Sequence, residues 1–82
     1  GDQFEQAFEA CGGLIAALIR FDRTPGCSPD SDLERIAVID ELANLTIKIA
    51  QLSTTFGEAQ VRAEVDRKLT LLAERLAAEE KA

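Results

Sequence analysis

Histidine, tryptophan, tyrosine and methionine are all absent from this 82-residue chain. Without histidine the chain lacks the most common general base near neutral pH, and it has too few good ligands for a zinc site. With four phenylalanines as its only aromatic residues, any core must be built mainly from aliphatic side chains. The composition disfavours an enzyme, and we assign no catalytic, cofactor-binding or metal-ligating residue.

Basic residues are also scarce, because nine Lys and Arg stand against fifteen Asp and Glu, for a net charge of −6. This charge repels nucleic acids and differs from the Lys- and Arg-rich polar face of membrane-surface helices. The longest apolar run, Leu14–Ile19, is far too short to cross a bilayer. We therefore expect no nucleic-acid partner, no membrane contact and a cytoplasmic location.

The two cysteines do not fix the cellular compartment. A bridge between Cys11 and Cys27 is sterically conceivable, but two free thiols in a reducing cytosol is the favoured interpretation. The chain does not begin with methionine, so we expect a processed chain or a fragment of a longer protein.

Hydrophobic periodicity predicts three helices in one all-α domain that spans residues 1–82. The predicted helices cover about residues 3–21, 31–53 and 57–79, joined by a loop over 22–30 and a turn over 53–56. On helix one, the predicted apolar stripe is Phe4, Phe8, Cys11, Ile15 and Leu18. On helix three, it is Val61, Val65, Leu69, Leu72 and Leu76.

Several local features leave two interpretations open. Helix two can begin at a Ser28 cap, with Pro29 as first helical residue, or at a capping box that starts at Ser31. Helices two and three are joined by the predicted turn or, alternatively, are one long helix kinked at Gly57. Gly12-Gly13 indicates close packing of another backbone on helix one, or a break in that helix.

Helix two organises the chain, because its apolar face is wider than a two-position seam. Six apolar residues follow at alternating steps of four and three, and further isoleucines widen the face, so it must be covered from more than one side. We predict a small three-helix bundle in which helices two and three form an antiparallel hairpin, and we expect it to assemble into a helical-bundle dimer. The residues predicted for the core or dimer seam are Val38, Leu42, Leu45, Ile49, Leu52 and Phe56.

The helix start over residues 29–36 is similar to that of small all-helical quorum-sensing anti-activators of plasmid conjugation. We assign no family from this short segment, but it illustrates a class of small acidic helical proteins that bind another protein. We accordingly expect a non-enzymatic interaction or regulatory module that acts through an apolar helical surface. Its partner would be a second copy of the chain or another protein.

Two other functions stay open at this point. A small helical enzyme with its site at a subunit junction would need Arg35, Lys48 or Arg62 to converge with carboxylates in a deep polar pocket. A dimeric DNA-binding regulator would need Arg62, Arg67 and Lys68 to be presented together on an exposed helix three.

Overall fold

The computed structural model describes residues 2–81, which form three helices and no strand. The helices are α1 (Asp2–Arg23), α2 (Asp30–Phe56) and α3 (Glu58–Lys81). The all-α, three-helix prediction is therefore confirmed. The chain divides into two compact units, Gly1–Leu52 and Ser53–Ala82, so α2 begins in the first unit and ends in the second. The single domain, the antiparallel pairing of α2 with α3 and the dimer stay predictions.

Both ends of α1 carry side chains that suit a helix terminus. Asp2 and Glu5 lie in the first turn and Arg20 and Arg23 in the last, so their charges complement the helix dipole. The Thr24 hydroxyl donates a 2.7 Å hydrogen bond to the Arg20 carbonyl, which satisfies one of the acceptors that the end of the helix leaves open.

The start of α2 is capped by Ser28. The Asp30 backbone N–H donates to the Ser28 hydroxyl oxygen at 3.2 Å. Pro29 lies between them at the first helical position, where the backbone N–H that proline lacks has no partner within the helix. The Ser31 hydroxyl instead donates towards the Gly26 carbonyl at 3.4 Å. The structure thus selects the Ser28 cap over the capping box at Ser31.

The predicted turn over 53–56 is wrong, because α2 continues through it to Phe56. The Gly57 N–H donates to the Ser53 carbonyl at 2.9 Å, so the last turn of α2 is fully helical. Weak helix formers such as serine and threonine cost only a few tenths of a kcal/mol each, which does not end a long helix. Gly57 ends it with a φ of 116°, a conformation that favours glycine, and its carbonyl accepts the first hydrogen bond of α3 from Val61.

Helix α1 packs on α2 through its smallest side chains. The buried residues of the described chain are Ala7, Ala10 and Ala17, all on α1. Small side chains let two helix backbones approach closely, but each alanine removes little apolar surface from water. The packing of α1 on α2 is therefore close, while the hydrophobic stabilisation that it provides is small.

The predicted stripe of α1 does not form this contact. Phe8, Ile15 and Leu18 are 72%, 58% and 47% exposed, and Phe4 and Cys11 are exposed as well. The large side chains lie about 100° around the helix from the alanines, so only one of the two sets can face α2. The alanine set faces α2, and most of the large apolar surface of α1 is open to solvent.

The two glycines of α1 differ in their surroundings. A Cβ added at Gly13 would lie 2.9 Å from the Glu41 carboxyl carbon, whereas one added at Gly12 would meet nothing within 4 Å. The close contact at Gly13 is therefore with the Glu41 side chain rather than with another backbone, and the helix continues through both residues without a break. Nothing in the structure explains glycine at position 12.

We expect Gly12→Ala to stabilise the protein by about 1 kcal/mol, because alanine favours the helical backbone and this site has room for it. Chemical denaturation followed by circular dichroism measures the change. Gly13→Ala is the matched control and should gain less, because its methyl group must displace the Glu41 carboxylate. An equal gain at both positions would contradict the close packing at Gly13.

Candidate functional site

The structure separates the six predicted seam residues of α2 into two groups. Val38, Leu45 and Leu52 are half-buried, and they repeat every seven residues. The intervening residues are exposed, with exposed fractions of 47%, 52% and 65% for Leu42, Ile49 and Phe56. Half of the predicted seam is therefore partly covered, and the other half is open.

The reason lies in the polar residues of α2 that turn towards α1. Glu34, Glu41 and Lys48 are half-buried and also repeat every seven residues, each lying three or four positions from a half-buried seam residue. Together with Val38, Leu45 and Leu52 they make a second heptad stripe, turned slightly around the helix from the predicted one. Because Glu34, Glu41 and Lys48 carry charges, the pattern of apolar residues alone does not reveal this stripe.

Three polar contacts fix how α1 and α2 are aligned. Lys48 Nζ donates to Gln6 Oε1 at 3.1 Å, the Glu41 carboxylate lies over Gly13, and Arg20 Nε lies 3.5 Å from Glu34 Oε2. Each step of seven residues forward along α1 is a step of seven back along α2. The two helices therefore form an antiparallel pair in heptad register, named here the α1–α2 hairpin, and these contacts mark its polar face.

The opposite face of the α1–α2 hairpin is apolar. Leu18 and Phe21 of α1 meet Val38 and Ile39 of α2 around an open depression of about 250 Å³, with Arg35 at its edge. Because residues seven apart lie on the same face of a helix in heptad register, this apolar side extends along both helices. We define the open apolar face as the exposed residues Phe8, Ile15, Leu18, Ile39, Leu42 and Ile49.

The buried alanines are the residues that the sequence analysis missed. Ala7, Ala10 and Ala17, with half-buried Leu14 between them, follow at steps of three and four. This spacing was available in the sequence, but the larger residues of the neighbouring stripe gave a stronger apolar pattern. A search for small residues at heptad spacing would have found the face that contacts α2.

The basic residues considered for an enzyme are not brought together within the α1–α2 hairpin. Lys48 lies in the polar face beside Glu9 and Glu41, while Arg35 borders the apolar depression. The two basic residues are separated by about 20 Å along α2, so they cannot act on one substrate within a single hairpin. Arg62 lies in the second compact unit, where it pairs with Glu58 at 3.3 Å.

The arrangement required of a DNA-binding helix is also not found on α3. Successive residues of an α-helix are turned by about 100°, so Arg62, Arg67 and Lys68 point in three different directions. Arg62 and Arg67 are each paired with a glutamate, Glu58 and Glu64. The exposed surface of α3 is therefore mixed in charge rather than basic.

Arg67 Nε lies 3.1 Å from both carboxylate oxygens of Glu64, and this hydrogen bonding lowers the pKa of Glu64 and raises the pKa of Arg67. A lowered carboxyl pKa stabilises the helix above the ordinary glutamate pKa, and that contribution is lost as the pH falls through the lowered value. Both side chains are exposed, so the effect is small and sensitive to salt.

We expect Arg67→Ala to raise the pKa of Glu64 towards its ordinary value, because the principal hydrogen-bond donor is removed. An NMR titration of the Glu64 side chain measures this shift. Lys81→Ala removes the same charge from the end of the same helix and should leave the Glu64 titration where it is. A Glu64 pKa that is unchanged in Arg67→Ala would contradict the pairing.

Both cysteines are free and exposed. In the part of the chain that the structure describes, no three Asp, Glu, Cys or His side chains are grouped as metal ligands would be. Among residues 2–81, no helix combines the length and apolar character needed to cross a bilayer.

Comparison of the chain with protein-family models, with curated proteins and with solved structures finds no match. The surfaces of the chain itself are therefore the basis on which its function is inferred.

Proposed function

We propose that this protein is a non-enzymatic interaction module that forms a homodimer through the open apolar face of the α1–α2 hairpin. The observation that supports this proposal is that, among residues 2–81, no large side chain is fully buried. In the proposed dimer, two hairpins pack face to face and their four helices enclose one core. The free thiols fit a cytoplasmic location.

The energetics favour a chain that needs a partner. Ordering the backbone costs about 1–2 kcal/mol for each residue, whereas burial of three alanine side chains returns only a small part of that cost. Half-buried residues such as Leu14 and Leu45 add to this, and cover of the apolar side chains that are exposed in the single chain would supply more. Ile15, Leu42 and Ile49, each about half exposed, are the central residues of this surface.

A second copy is a suitable cover for this face. The face has apolar stripes on two helices, and each stripe follows the heptad spacing by which helices pack side by side. Another hairpin offers two such stripes at the same spacing, and two identical surfaces related by a two-fold axis can satisfy one another. A single added helix would fill the groove between α1 and α2 but would leave the outer residue Phe8, which is 72% exposed, at its edge.

The test is the mass in solution, measured by light scattering after size exclusion over a concentration series with and without reductant. We expect a dimer in both conditions, and we expect the thermal midpoint to rise with protein concentration because folding and association are coupled.

Ile49→Asp should shift the mass towards that of a monomer, because it places a charge on the open apolar face. Asp40→Asn is the control, since Asp40 is exposed and lies away from that face. A monomer whose thermal midpoint is independent of concentration would contradict the proposal. A dimer that forms only without reductant would show a disulfide link instead of the proposed packing.

A further inference from the structure

Helix α3 has a second apolar surface, which is narrower than the open apolar face. Every residue of α3 is exposed, and the exposed fractions of Val65, Leu69, Leu72 and Leu76 range from 45% to 56%. These residues follow at steps of four, three and four, which gives the two-position seam of a coiled coil. Helices in proteins gain most of their stability from the packing of an apolar face rather than from helix propensity, so the seam has a physical need for cover.

We propose that this seam is covered by α3 of a second copy, so that two α3 helices form a parallel, two-stranded coiled coil. The proposal rests on the homodimer described under the proposed function and assigns it a second contact. A seam of only two positions, without a wider apolar face, matches the contact that one other helix makes in a two-stranded coiled coil. The partner is therefore a single helix with a matching seam.

The charges beside the seam favour a second α3 in parallel orientation. One edge of the seam carries Lys68 and Arg75, and the other carries Asp66 and Glu80. In a parallel pair, the basic edge of each helix faces the acidic edge of its partner, and the heptad positions bring Arg75 of one copy next to Glu80 of the other. In an antiparallel pair, Lys68 of one copy would face Arg75 of the other.

The residues at the ends of the seam oppose this orientation weakly. Arg62 and Glu79 would each meet their own counterpart in a parallel pair, whereas they would meet one another in an antiparallel pair. The Arg62 charge is already offset by Glu58 at 3.3 Å, and both seam ends are exposed to screening by solvent. The edge charges next to the leucines therefore decide the orientation.

Cysteine cross-linking of the full chain tests the proposal. In a background with Cys11→Ser and Cys27→Ser, we would prepare Val65→Cys and Leu76→Cys separately and oxidise each in a glutathione buffer. A parallel pair places each new cysteine next to its own copy, so both variants should run mainly as cross-linked dimers on a non-reducing gel. Leu71→Cys lies on the opposite side of α3 and is the matched control, for which no such dimer is expected.

Cross-linking that requires a mixture of the Val65→Cys and Leu76→Cys chains would show an antiparallel pair and overturn the parallel orientation. The absence of cross-linking in all mixtures would show that the α3 seam is not covered by α3 of a second copy. The proposed function has a separate readout, which is the dissociation of the hairpin dimer by Ile49→Asp. In either of these two cases the hairpin dimer itself would still form.

Discussion

Leu45→Asp should abolish the folding of this protein or its proposed association. Leu45 is half-buried on the side of α2 that faces α1, between Glu41 and Lys48. An aspartate there brings a charge into the contact with the buried alanines and next to the existing Glu41 carboxylate. The expected loss of about 3 kcal/mol or more is large against the stability of a small domain.

Far-ultraviolet circular dichroism and light scattering together check this prediction. The variant should lose most of its helical signal and its dimeric mass. Asn44→Asp introduces the same charge at the neighbouring residue, which is exposed in the polar face, and should keep both signals. A Leu45→Asp chain with full helical content and unchanged mass would show that the α1–α2 contact does not hold the fold together.

Ala17→Leu should separate α1 from α2, although it makes the chain more hydrophobic. Ala17 has no exposed surface, and its methyl group lies where the two helices approach closely. Three additional carbon atoms cannot be accommodated without moving the helices apart, and overpacking of this kind typically costs about 1–3 kcal/mol. The loss should be near the upper end, because Ala17 has no exposed surface towards which a larger side chain could extend.

Chemical denaturation measures this cost, and Ala16→Leu is the matched control. Ala16 is half-buried and turned about 100° around α1 from Ala17, so its side chain has space to leave the interface. The control should be close to neutral. Equal effects at the two positions would mean that leucine is unfavourable throughout this helix, and they would contradict a close approach at Ala17.

The sequence was sufficient to predict three helices, because apolar residues at helical spacing and the Pro25-Gly26 turn are local signals. The sequence did not separate the half-buried residues of the predicted α2 seam from the exposed ones. Leu42 and Ile49 were predicted as part of a seam for core or dimer, and the structure leaves both exposed in the single chain. In the proposed dimer, a second copy of the chain covers both residues.

The contact between α1 and α2 could be predicted from the apolar pattern only in part, because Val38, Leu45 and Leu52 share it with residues that are small or charged. A search that weights residues by hydrophobicity favours Phe4 and Phe8 over Ala7 and Ala10, although close approach of two backbones requires the alanines. The end of α2 was misplaced for a similar reason. Helix propensity differs little between most residues, so it does not locate the end of a helix. The positive φ with which Gly57 ends α2 cannot be obtained from composition.

The alignment of α1 with α2 has a consequence for how this protein can vary in length. The three cross-helix contacts, of Gln6 with Lys48, Gly13 with Glu41 and Arg20 with Glu34, recur at a constant interval of one heptad. Adding or removing one heptad in α1, together with one in α2, would leave every remaining pair matched and the same side apolar. A change in one helix alone would mismatch every pair beyond it, so viable length variants should arise only as coupled insertions or deletions.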